Sequence, residues 1–374
     1  MMVEKVRLLI FLHDLAPFGA QRVVLYTVRN MERQKIRVTV CAFGGDVTLA
    51  QEFFAAGASV ALLGAGRFLD PFAWLRLAML LLKERPCIVQ TSLPELSVPV
   101  RLLSLLIPGL KVLHTVQNPI DSEPWYWRFL NMLTLPLCSA VVFSSEGLKR
   151  HELRARAKLS PRVATIPNGV ERLNAAGEGP EALRKEFGCA EGEKVIFCAA
   201  RLSAQKGQDI LIRATAELSR QRERVRLVLA GDGEDLEELR KLSAELGIRD
   251  KVVFLGRRAD IGSLLGASDV YAAASRWESF DIALGEAMLA GLPCAATDIP
   301  GHADLLNGGA TGLPVPAGDF EAMAAAIGKI FSDPAGAIRR AAAARDLVSS
   351  HYSTAGMAAK YQNLYLELAE GGPK

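Results

Sequence analysis

Short apolar runs rich in β-branched residues alternate with longer helical patterns along the whole of this 374-residue chain. Such alternation is typical of repeated βαβ units, whose strands lie parallel in one sheet. Several runs are apolar throughout, as strands buried on both faces of a sheet tend to be. Seven runs in the first half are predicted strands: VRLLIFL, IRVTVCAF, ASVALL, CIVQTS, KVLHTV, AVVFSS and RVATIP. They are enough for one complete parallel sheet, so the predicted fold class is α/β.

The pattern starts again after residues 174–180, a stretch rich in Gly, Ala and Glu that is predicted to be an interdomain linker. The second set of predicted strands is KVIFCAA, RLVLAG, KVVFLG, DVYAAAS, PCAATD and GLPVP. A chain of this length exceeds one typical domain. We predict two facing Rossmann-like domains, each a doubly wound parallel sheet, with a cleft between them. The domains are residues 1–173 and 174–353, and the last helical pattern, 354–374, is predicted to pack back on the first domain.

The formal net charge of +3 hides an uneven distribution along the chain. Residues 1–170 carry 20 Lys and Arg against 12 Asp and Glu, and the remaining residues carry 24 against 29. A basic first half suggests an anionic partner, such as a membrane surface or an acidic substrate. Scattered solvated charges explain the same numbers equally well, so both interpretations stay open.

Two segments of the first half, 72–82 and 96–110, are strongly apolar with basic residues between the apolar ones. Arg76, Arg101 and Pro136 interrupt the most apolar stretches, so no run reaches the roughly 18 apolar residues of a membrane span. The segments are either interfacial or ordinary core helices. The protein is therefore not expected to cross a bilayer, and peripheral contact with an anionic membrane stays an alternative.

Six cysteines are spread singly along the chain, without the paired spacing of a zinc site. Most of them are expected to be buried thiols in a reducing compartment. The amino terminus reads as charged residues followed by a first strand rather than as a signal peptide. These features predict a cytoplasmic protein, with the inner face of the cell membrane as the place of any peripheral contact.

The segment 275–286, SRWESFDIALGE, is the most informative one for function. It is predicted to leave a strand, cross a short loop and enter a helix at residues 283–290. If the helix starts near Asp281, its free backbone N–H groups and its dipole face any phosphate bound there. Glu278 on the loop and Glu286 in the helix can then reach a sugar hydroxyl and a ribose diol. Two solvated glutamates near a helix start are the alternative.

Arg201 and Lys206 follow the first predicted strand of the second half, in the sequence RLSAQKG. In open α/β sheets, ligands bind at the carboxyl edge of the strands, where both cations are expected. Arg201 can fork onto phosphate oxygens, and Lys206 can act as a point charge. Together they would neutralise a diphosphate, although isolated surface cations would give the same pattern.

The first half offers weaker candidates at its own carboxyl edge. Gly19 lies between the first strand and a helix, where a glycine lets the backbone approach a ligand closely. His114 lies near the end of the strand KVLHTV, from which it can face the cleft and touch a transferring sugar. A histidine in such a place is more often structural, so both interpretations stay open.

These segments together resemble the retaining GT-B glycosyltransferases of the group 1, family 4-like type, typified by bacterial mannosyl- and glucosyltransferases that use nucleotide sugars. The resemblance runs through nearly the whole chain, in the order HTVQN, SSEGLKR, IPNGV, RLSAQKGQDIL, LAGDGED, VVFLG, the glutamate-pair segment and EAMLAGLPCAATDIPG. It implies hexosyl transfer from a UDP- or GDP-linked sugar to a saccharide or lipid-linked acceptor, as in cell-surface polysaccharide or glycolipid synthesis. No nucleic acid partner is expected.

The resemblance also implies a role for each candidate residue. Arg201 and Lys206 would hold the donor diphosphate, Glu278 would contact the hydroxyls of the donor sugar, and Glu286 would hold the ribose. His114 would approach the donor sugar from the first domain, which makes it part of the catalytic set with Glu278, Arg201 and Lys206. The remaining donor-binding positions, a glycine turn and the backbone N–H groups around the phosphates, are Gly19, Phe280, Asp281, Ile282 and Ala283.

Two positions depart from the family pattern. The family usually has glycine where this chain has Asp281, and glycine followed by glutamate where it has Ala20 and Gln21. A carboxylate at position 281 would repel the donor diphosphate unless it turns away or caps the helix. Ala20 narrows the backbone freedom of the first loop, so the acceptor side is expected to differ as well.

In the mechanism that the resemblance implies, a leaving phosphate oxygen helps to deprotonate the acceptor, so no separate protein base is required. Catalysis then depends on positioning and on neutralising leaving-group charge with Arg201, Lys206 and the helix terminus. No metal or other cofactor is expected. The segment from Asp232 to Asp235, DGED, looks like a carboxylate metal cluster, but its place after a strand favours a turn and a helix cap.

Three other functions fit parts of the pattern. A GT-B-fold nucleotide-sugar epimerase would need acid and base residues around the sugar, and no such cluster is visible in the sequence. A nicotinamide dehydrogenase would need Gly-x-Gly-x-x-Gly after a strand, which the turns at Gly19 and Gly231 do not provide. A non-catalytic scaffold that binds a nucleotide sugar without transferring it stays open because of Asp281.

Overall fold

The chain folds into two compact units. The first unit comprises residues 1–169 and 353–374, and the second comprises residues 170–352. The computed structural model describes residues 5–67, 70–155, 161–175 and 177–371 of the chain.

The second unit begins at Val170, ahead of the predicted boundary between residues 173 and 174. Val170 donates its N–H to the carbonyl of Tyr352 at 2.7 Å, and its side chain is buried in the core of the second unit. The chain is therefore held by the second unit before the predicted linker, 174–180, starts. Residue 176 of that segment lies outside the described residues.

A parallel sheet forms the centre of the first unit. Its strands are β1 (Val6–Leu12), β2 (Ile36–Gly44), β3 (Ser59–Ala65), β4 (Ile88–Thr91), β5 (Lys111–Val116), β6 (Ala140–Phe143) and β7 (Arg162–Thr165). Their order is β3-β2-β1-β4-β5-β6-β7, with every neighbouring pair parallel. Strands β4 and β6 are buried on both faces of the sheet, as expected for strands in the interior of a parallel sheet.

A second parallel sheet forms the centre of the second unit. Its strands are β8 (Lys194–Ala199), β9 (Val225–Ala230), β10 (Val252–Gly256), β11 (Val270–Ala273), β12 (Cys294–Thr297) and β13 (Leu313–Val315). Their order is β10-β9-β8-β11-β12-β13. The strand order reverses between β8 and β11, and ligands bind beside such a switch point in open α/β sheets. The prediction of two doubly wound parallel sheets is confirmed.

Helices cover both faces of each sheet. Those of the first unit are α1 (Gly19–Arg29), α2 (Ala50–Ala55), α3 (Pro71–Glu84), α4 (Pro94–Ser104), α5 (Trp125–Thr134), α6 (Glu146–Ala155) and α15 (Thr354–Ala369). Those of the second unit are α7 (Pro180–Glu186), α8 (Gln208–Arg220), α9 (Leu236–Glu245), α10 (Ile261–Gly266), α11 (Ile282–Ala290), α12 (Pro300–Leu306), α13 (Phe320–Ser332) and α14 (Pro334–His351). Within the described ranges, no helix is both long and apolar enough to cross a membrane.

The two faces of the first sheet are covered by different helices. Right-handed crossovers place α1 and α2 on one face, because the chain moves outward from β1 to β3. The return to β4 and the later crossovers place α3, α4 and α5 on the other face. Helix α15 packs against α1 and also contacts β1 and β4, so it lies beside α1 on the first of these faces.

Helix α15 is joined to the first unit by polar contacts as well as by packing. The Gln362 amide accepts a hydrogen bond from the N–H of Glu32 at 2.8 Å and donates one to its carboxylate at 2.6 Å. The fully buried Tyr365 donates its hydroxyl to the side chain of Gln90 on β4. The carboxyl-terminal helix is thus part of the first unit, although residues 372–374 lie outside the described residues.

We expect Tyr365→Ala to lower the free energy of unfolding of the first unit by about 3–5 kcal/mol, because it opens a cavity where an aromatic side chain is fully buried. Urea denaturation measures the change. Lys360→Ala, at an exposed position of the same helix, is the matched control and should change stability by less than about 0.5 kcal/mol. Equal effects of the two variants would show that α15 does not stabilise the unit.

Candidate active site

Two loops meet at the switch point of the second sheet. The loop after β8 carries Lys206, and the loop after the neighbouring strand β11 carries Glu278. Backbone and side-chain hydrogen bonds join the loops, from Arg276 N–H to the Gln205 carbonyl at 2.7 Å and from the Gln205 amide to the Trp277 carbonyl at 3.0 Å. The structure therefore brings together the two sequence segments that were predicted separately.

Gly207 permits this close approach of the two loops. Its φ is +66°, and a Cβ built there would lie 2.1 Å from the carbonyl oxygen of Ala274. Only glycine combines that conformation with that contact at low cost. The small residue after Lys206 thus lets the cationic loop lie directly against the end of β11.

An ion pair that no sequence pattern predicted fastens the same two loops. The guanidinium of Arg276 forms a forked contact with the carboxylate of Asp209, with N···O distances of 2.7 and 3.0 Å. The hydrogen bond to Asp209 raises the pKa of Arg276 above its ordinary value, although burial opposes this. Both residues stand beside motif residues in the sequence, but their pairing joins positions 67 residues apart and had no local signal.

Lys206 and Glu278 form a partly buried ion pair. The ammonium donates to Glu278 Oε1, and the hydroxyl of Ser275 donates to the same oxygen at 3.0 Å. Burial raises the pKa of Glu278, whereas the nearby Lys206 charge opposes that rise. Burial would lower the pKa of Lys206, but the carboxylates of Glu278 and Asp281 raise it above its ordinary value. Because both hydrogen bonds favour an ionised Glu278, we describe the pair as ammonium and carboxylate.

Helix α11 begins next to this pair, with Asp281 as its N-cap. Asp281 Oδ1 accepts the N–H of Leu284 at 3.2 Å, and the side chain is buried. The capping alternative for Asp281 is therefore the one that the structure shows. Ile282 and Ala283 form the first turn, and Glu286 lies one turn into the helix.

Asp281 has a second partner, a residue that was not among the predicted site residues. His302, in the first turn of α12, is fully buried, and its Nε2 lies 3.2 Å from Asp281 Oδ2. The position of His302 just after β12, at the same sheet edge as the glutamate loop, was the available sequence signal. Next to Asp281, Phe280 is also buried and packs its ring 5.4 Å from that of Tyr352.

Arg201 lies at the carboxyl edge just after β8, where it was predicted. Its carbonyl accepts a hydrogen bond from the Gln208 amide at 2.8 Å, which fixes the backbone of the loop, while the residue as a whole is exposed. Its guanidinium is therefore accessible to a ligand at this edge.

The two candidates of the first half belong to the first unit. Gly19 is the first residue of α1 and is exposed. His114 lies within β5 and is buried, with its Nδ1 2.9 Å from the hydroxyl of Ser97, which itself donates to Thr91 at 2.7 Å. The roles of Gly19 and His114 at the donor stay predictions.

The DGED segment lies at a turn and at the start of a helix, as expected. Asp232 Oδ1 accepts the N–H of Gly233 at 2.9 Å. Asp235 occupies the N-cap position of α9, although its side chain makes no capping hydrogen bond there. No group of three or more His, Cys, Asp or Glu side chains in the described residues could hold a metal ion.

Comparison with known families gives one match for each half of the chain. Residues 18–172 match the Glycosyltransferase Family 4 model, and residues 180–346 match the model of Glycosyl transferases group 1. The first match runs from just before α1 through β7 and ends three residues into the second unit. The second match covers the loops that carry Lys206 and Glu278 and the helix that carries Glu286.

Characterised relatives align with part of the chain. N-acetyl-alpha-D-glucosaminyl L-malate synthase from Bacillus anthracis is 27% identical over 58% of this chain and 56% of its own length. The lipopolysaccharide core biosynthesis mannosyltransferase LpsB from Rhizobium meliloti is 30% identical over 52% of this chain and 62% of its own. The chain thus spans little more than half the length of these relatives.

Solved structures align with almost the whole chain. HepE from Anabaena, crystallised in complex with UDP and glucose, superposes with a TM-score of 0.84 at 22% identity, over 97% of this chain and all of that one. At this identity the similarity concerns the fold. With one family model matching each half, the chain belongs to the group 1, family 4-like glycosyltransferases, and its two doubly wound parallel sheets are those of the GT-B fold.

Proposed function

We propose that this chain is a retaining hexosyltransferase that takes its sugar from a UDP- or GDP-linked donor. The observation that carries the proposal is the Lys206–Glu278 ion pair, held at the switch point of the second sheet beside the amino terminus of α11. A cation and a helix terminus at one sheet edge can bind the diphosphate of a nucleotide sugar, and a carboxylate beside them can bind the hydroxyls of its sugar. These are the groups on either side of the scissile bond. HepE, which shares the fold, was crystallised with UDP and glucose, which supports this ligand class.

The donor diphosphate would be held by positive charge. Lys206 has three N–H donors, and Glu278 is the one partner in the described residues to which it is seen to donate. Its other donors can reach phosphate oxygens, together with the exposed guanidinium of Arg201. The backbone N–H groups from Phe280 to Ala283, around the start of α11, would add the positive end of a helix dipole.

The sugar and the ribose would each meet one carboxylate. Glu278 is fixed by Lys206 and Ser275, so it can accept hydrogen bonds from sugar hydroxyls without moving. Glu286 lies a turn further into α11, where it would bind the ribose diol. We assign His114 of the first unit a contact with the donor sugar. Gly19 would let the backbone of its turn approach the donor closely.

The chemistry that we propose needs no protein base. The leaving phosphate oxygen accepts the acceptor proton on the face from which it departs, so the configuration at the anomeric carbon is retained. The negative charge that develops on the diphosphate is then the main demand on the protein. Preorganised cations and helix N–H groups stabilise such charge without reorganisation, which accounts for the roles of Lys206 and Arg201.

We expect Lys206→Ala and Glu286→Ala each to weaken the binding of UDP or GDP, whichever the wild type binds, by about tenfold to a hundredfold. Each change removes a charged hydrogen bond worth about 1.5–3 kcal/mol. Isothermal calorimetry measures the affinity, and a thermal shift reports the same binding by mass action. The melting temperature of each variant without nucleotide, compared with that of the wild type, shows whether a loss of affinity is due to a loss of folding.

Lys241→Ala is the control for this experiment, since Lys241 is an exposed lysine of α9 in the same unit. Wild-type affinity in both site variants would place the nucleotide elsewhere. Absence of nucleotide binding to the wild type would contradict the proposed donor site, whereas binding without any transfer would favour the non-catalytic scaffold.

We expect transfer to proceed unchanged in EDTA and to give a product with the anomeric configuration of the donor. The physical reason is that Lys206, Arg201 and the helix terminus supply the positive charge that a metal ion supplies in other transferases. The rate with and without chelator and the anomeric proton coupling of the product are the measurements. A product of inverted configuration, or a rate abolished by EDTA and restored by Mg²⁺, would contradict the mechanism.

We also propose that the acceptor is a saccharide or lipid-linked saccharide reached at a membrane surface, at the inner face of the cell membrane. Of the 18 large apolar side chains exposed in the described residues, 12 lie on α3, α4, α5 or the turn after α4. These helices cover one face of the first sheet. Exposed apolar surface concentrated on one face of a protein marks an interaction site.

Basic groups adjoin this apolar face. A groove of about 580 Å³ at the amino edge of the first sheet is lined by Arg7, Arg85 and Lys111, and none of its described lining residues is acidic. Its rim includes Leu82 and Leu106, which are 63% and 77% exposed. Cations at the level of exposed leucines match the headgroup layer of an anionic membrane.

We expect the double variant Leu82→Ser/Leu106→Ser to bind phosphatidylglycerol-containing vesicles at least about tenfold more weakly than wild type, because burying each leucine contributes about 1.5–3 kcal/mol. Vesicle cosedimentation at low salt measures the partitioning. Phe54→Ser, an equally exposed apolar position on α2 at the opposite face, is the matched control. Unchanged partitioning, or equal loss in the control, would remove the membrane contact from the proposal.

A further inference from the structure

Asp281 puts a carboxylate where the proposed donor phosphates require positive charge. The family usually has glycine at this position, and a buried charge without a partner is strongly unfavourable. Asp281 is only 5% exposed, and one of its oxygens is occupied as the cap of α11. Its second oxygen faces His302, so the protonation of that ring decides the charge beneath the donor site.

The hydrogen-bond geometry fixes the proton on His302 Nδ1. This nitrogen lies 2.8 Å from the carbonyl oxygen of Thr297 and 3.2 Å from its hydroxyl oxygen. The hydroxyl proton of Thr297 is used elsewhere, because Oγ1 donates to the carbonyl of Ser275 at 2.6 Å. Nδ1 therefore faces two acceptors and must itself be the donor.

The other ring nitrogen also needs a proton. Nε2 of His302 lies 3.2 Å from Asp281 Oδ2, and an ionised carboxylate can only accept. Burial would raise the pKa of Asp281, but the charge of Lys206 and the hydrogen bond from His302 hold it below its ordinary value. Both ring nitrogens of His302 thus face acceptors, which is the hydrogen-bonding arrangement of an imidazolium ring.

The Asp281–His302 pair is connected by hydrogen bonds to Glu278, the carboxylate that is proposed to bind the donor sugar. Thr297, the acceptor of His302 Nδ1, bonds through its hydroxyl to Ser275, and the hydroxyl of Ser275 donates to Glu278. The start of α12 also packs on the same loop, since a Cβ at Gly301 would lie 2.4 Å from the Glu278 carbonyl oxygen. His302 is therefore linked both to the loop that carries Glu278 and to Asp281, the cap of α11.

We propose that His302 is a positioning residue for the donor diphosphate, which acts by neutralising and holding the Asp281 carboxylate as the cap of α11. The inference depends on the proposed function, because it assigns a task within that donor site. With the imidazolium in place, the carboxylate is turned away and compensated, and the helix terminus keeps its attraction for phosphate. Without it, a bare carboxylate lies beneath the diphosphate and repels it.

Neutral substitutions can separate the effect of the charges of the Asp281–His302 pair from the effect of its packing. His302→Gln keeps an N–H donor toward Asp281 without the positive charge, and Asp281→Asn removes the negative charge while keeping a cap oxygen. The probes are inorganic pyrophosphate, UDP and GDP, with uridine and guanosine as uncharged counterparts. His351→Gln, an exposed histidine of α14, is the matched control.

We expect His302→Gln to lose at least tenfold in affinity for pyrophosphate and for the bound nucleoside diphosphate, with less than threefold loss for the nucleoside. Adding Asp281→Asn to His302→Gln should restore diphosphate affinity to within about threefold of wild type. Parallel losses for nucleoside and diphosphate, or a double variant as weak as the sum of its single variants, would show that the pair only supports the fold.

Nitrogen-15 spectra of the histidine rings, recorded without nucleotide, test the pair independently of the proposed function. The chain has five histidines, and His302→Gln assigns the signal of this ring. We expect both ring nitrogens protonated at pH 7 in the wild type and one in Asp281→Asn. A neutral ring in the wild type overturns the inference. An imidazolium in a protein that binds neither pyrophosphate nor nucleotide leaves the pair intact, rejects the positioning role, and contradicts the proposed donor site.

Discussion

The structure of the candidate site depends on the contact between Lys206 and Glu278. A lysine and a glutamate in a partly buried place are favourable only when they meet, so the two loops that carry them must lie together. Gly207 and the Arg276–Asp209 fork enforce that approach from either side. The result is a cation already oriented at the sheet edge, which a diphosphate can engage without a large rearrangement of the loops.

The amino terminus of α11 shows how one substitution changes the electrostatics of such a site. A glycine there would leave the helix N–H groups uncovered, whereas Asp281 covers one of them and brings a negative charge. His302 supplies the matching positive charge from α12, and Lys206 lies close enough to add to it. A change that looks disabling in the sequence is therefore compensated by a residue 21 positions away.

The elements of the fold were predictable because each depends on local pattern. Apolar runs such as AVVF become buried strands, and parallel strands bring their carboxyl ends to one edge, which was enough to unite Lys206 with Glu278. The partners of Asp281 and Arg276 were not predicted, since those contacts depend on how separate loops approach in space. The place of His302 just after β12 was the one sequence signal for either contact. Asp235 of the DGED segment lies at the N-cap position of α9, yet its side chain makes no capping hydrogen bond, because the position before a helix does not by itself fix the orientation of a side chain.

The exposed face of the first unit shows a further limit of sequence patterns. Helix α3 has two apolar stripes, with Ala73, Leu77 and Leu81 buried against the sheet and a second stripe from Phe72 to Leu82 exposed. Periodicity alone cannot tell which stripe faces the core, since both have helical spacing. The packing decides it, because Ala73, Leu77 and Leu81 face the sheet whereas Phe72 and Leu82 are exposed. One stripe therefore builds the core of the first unit, and the exposed stripe is the part of α3 on which the proposed membrane contact depends.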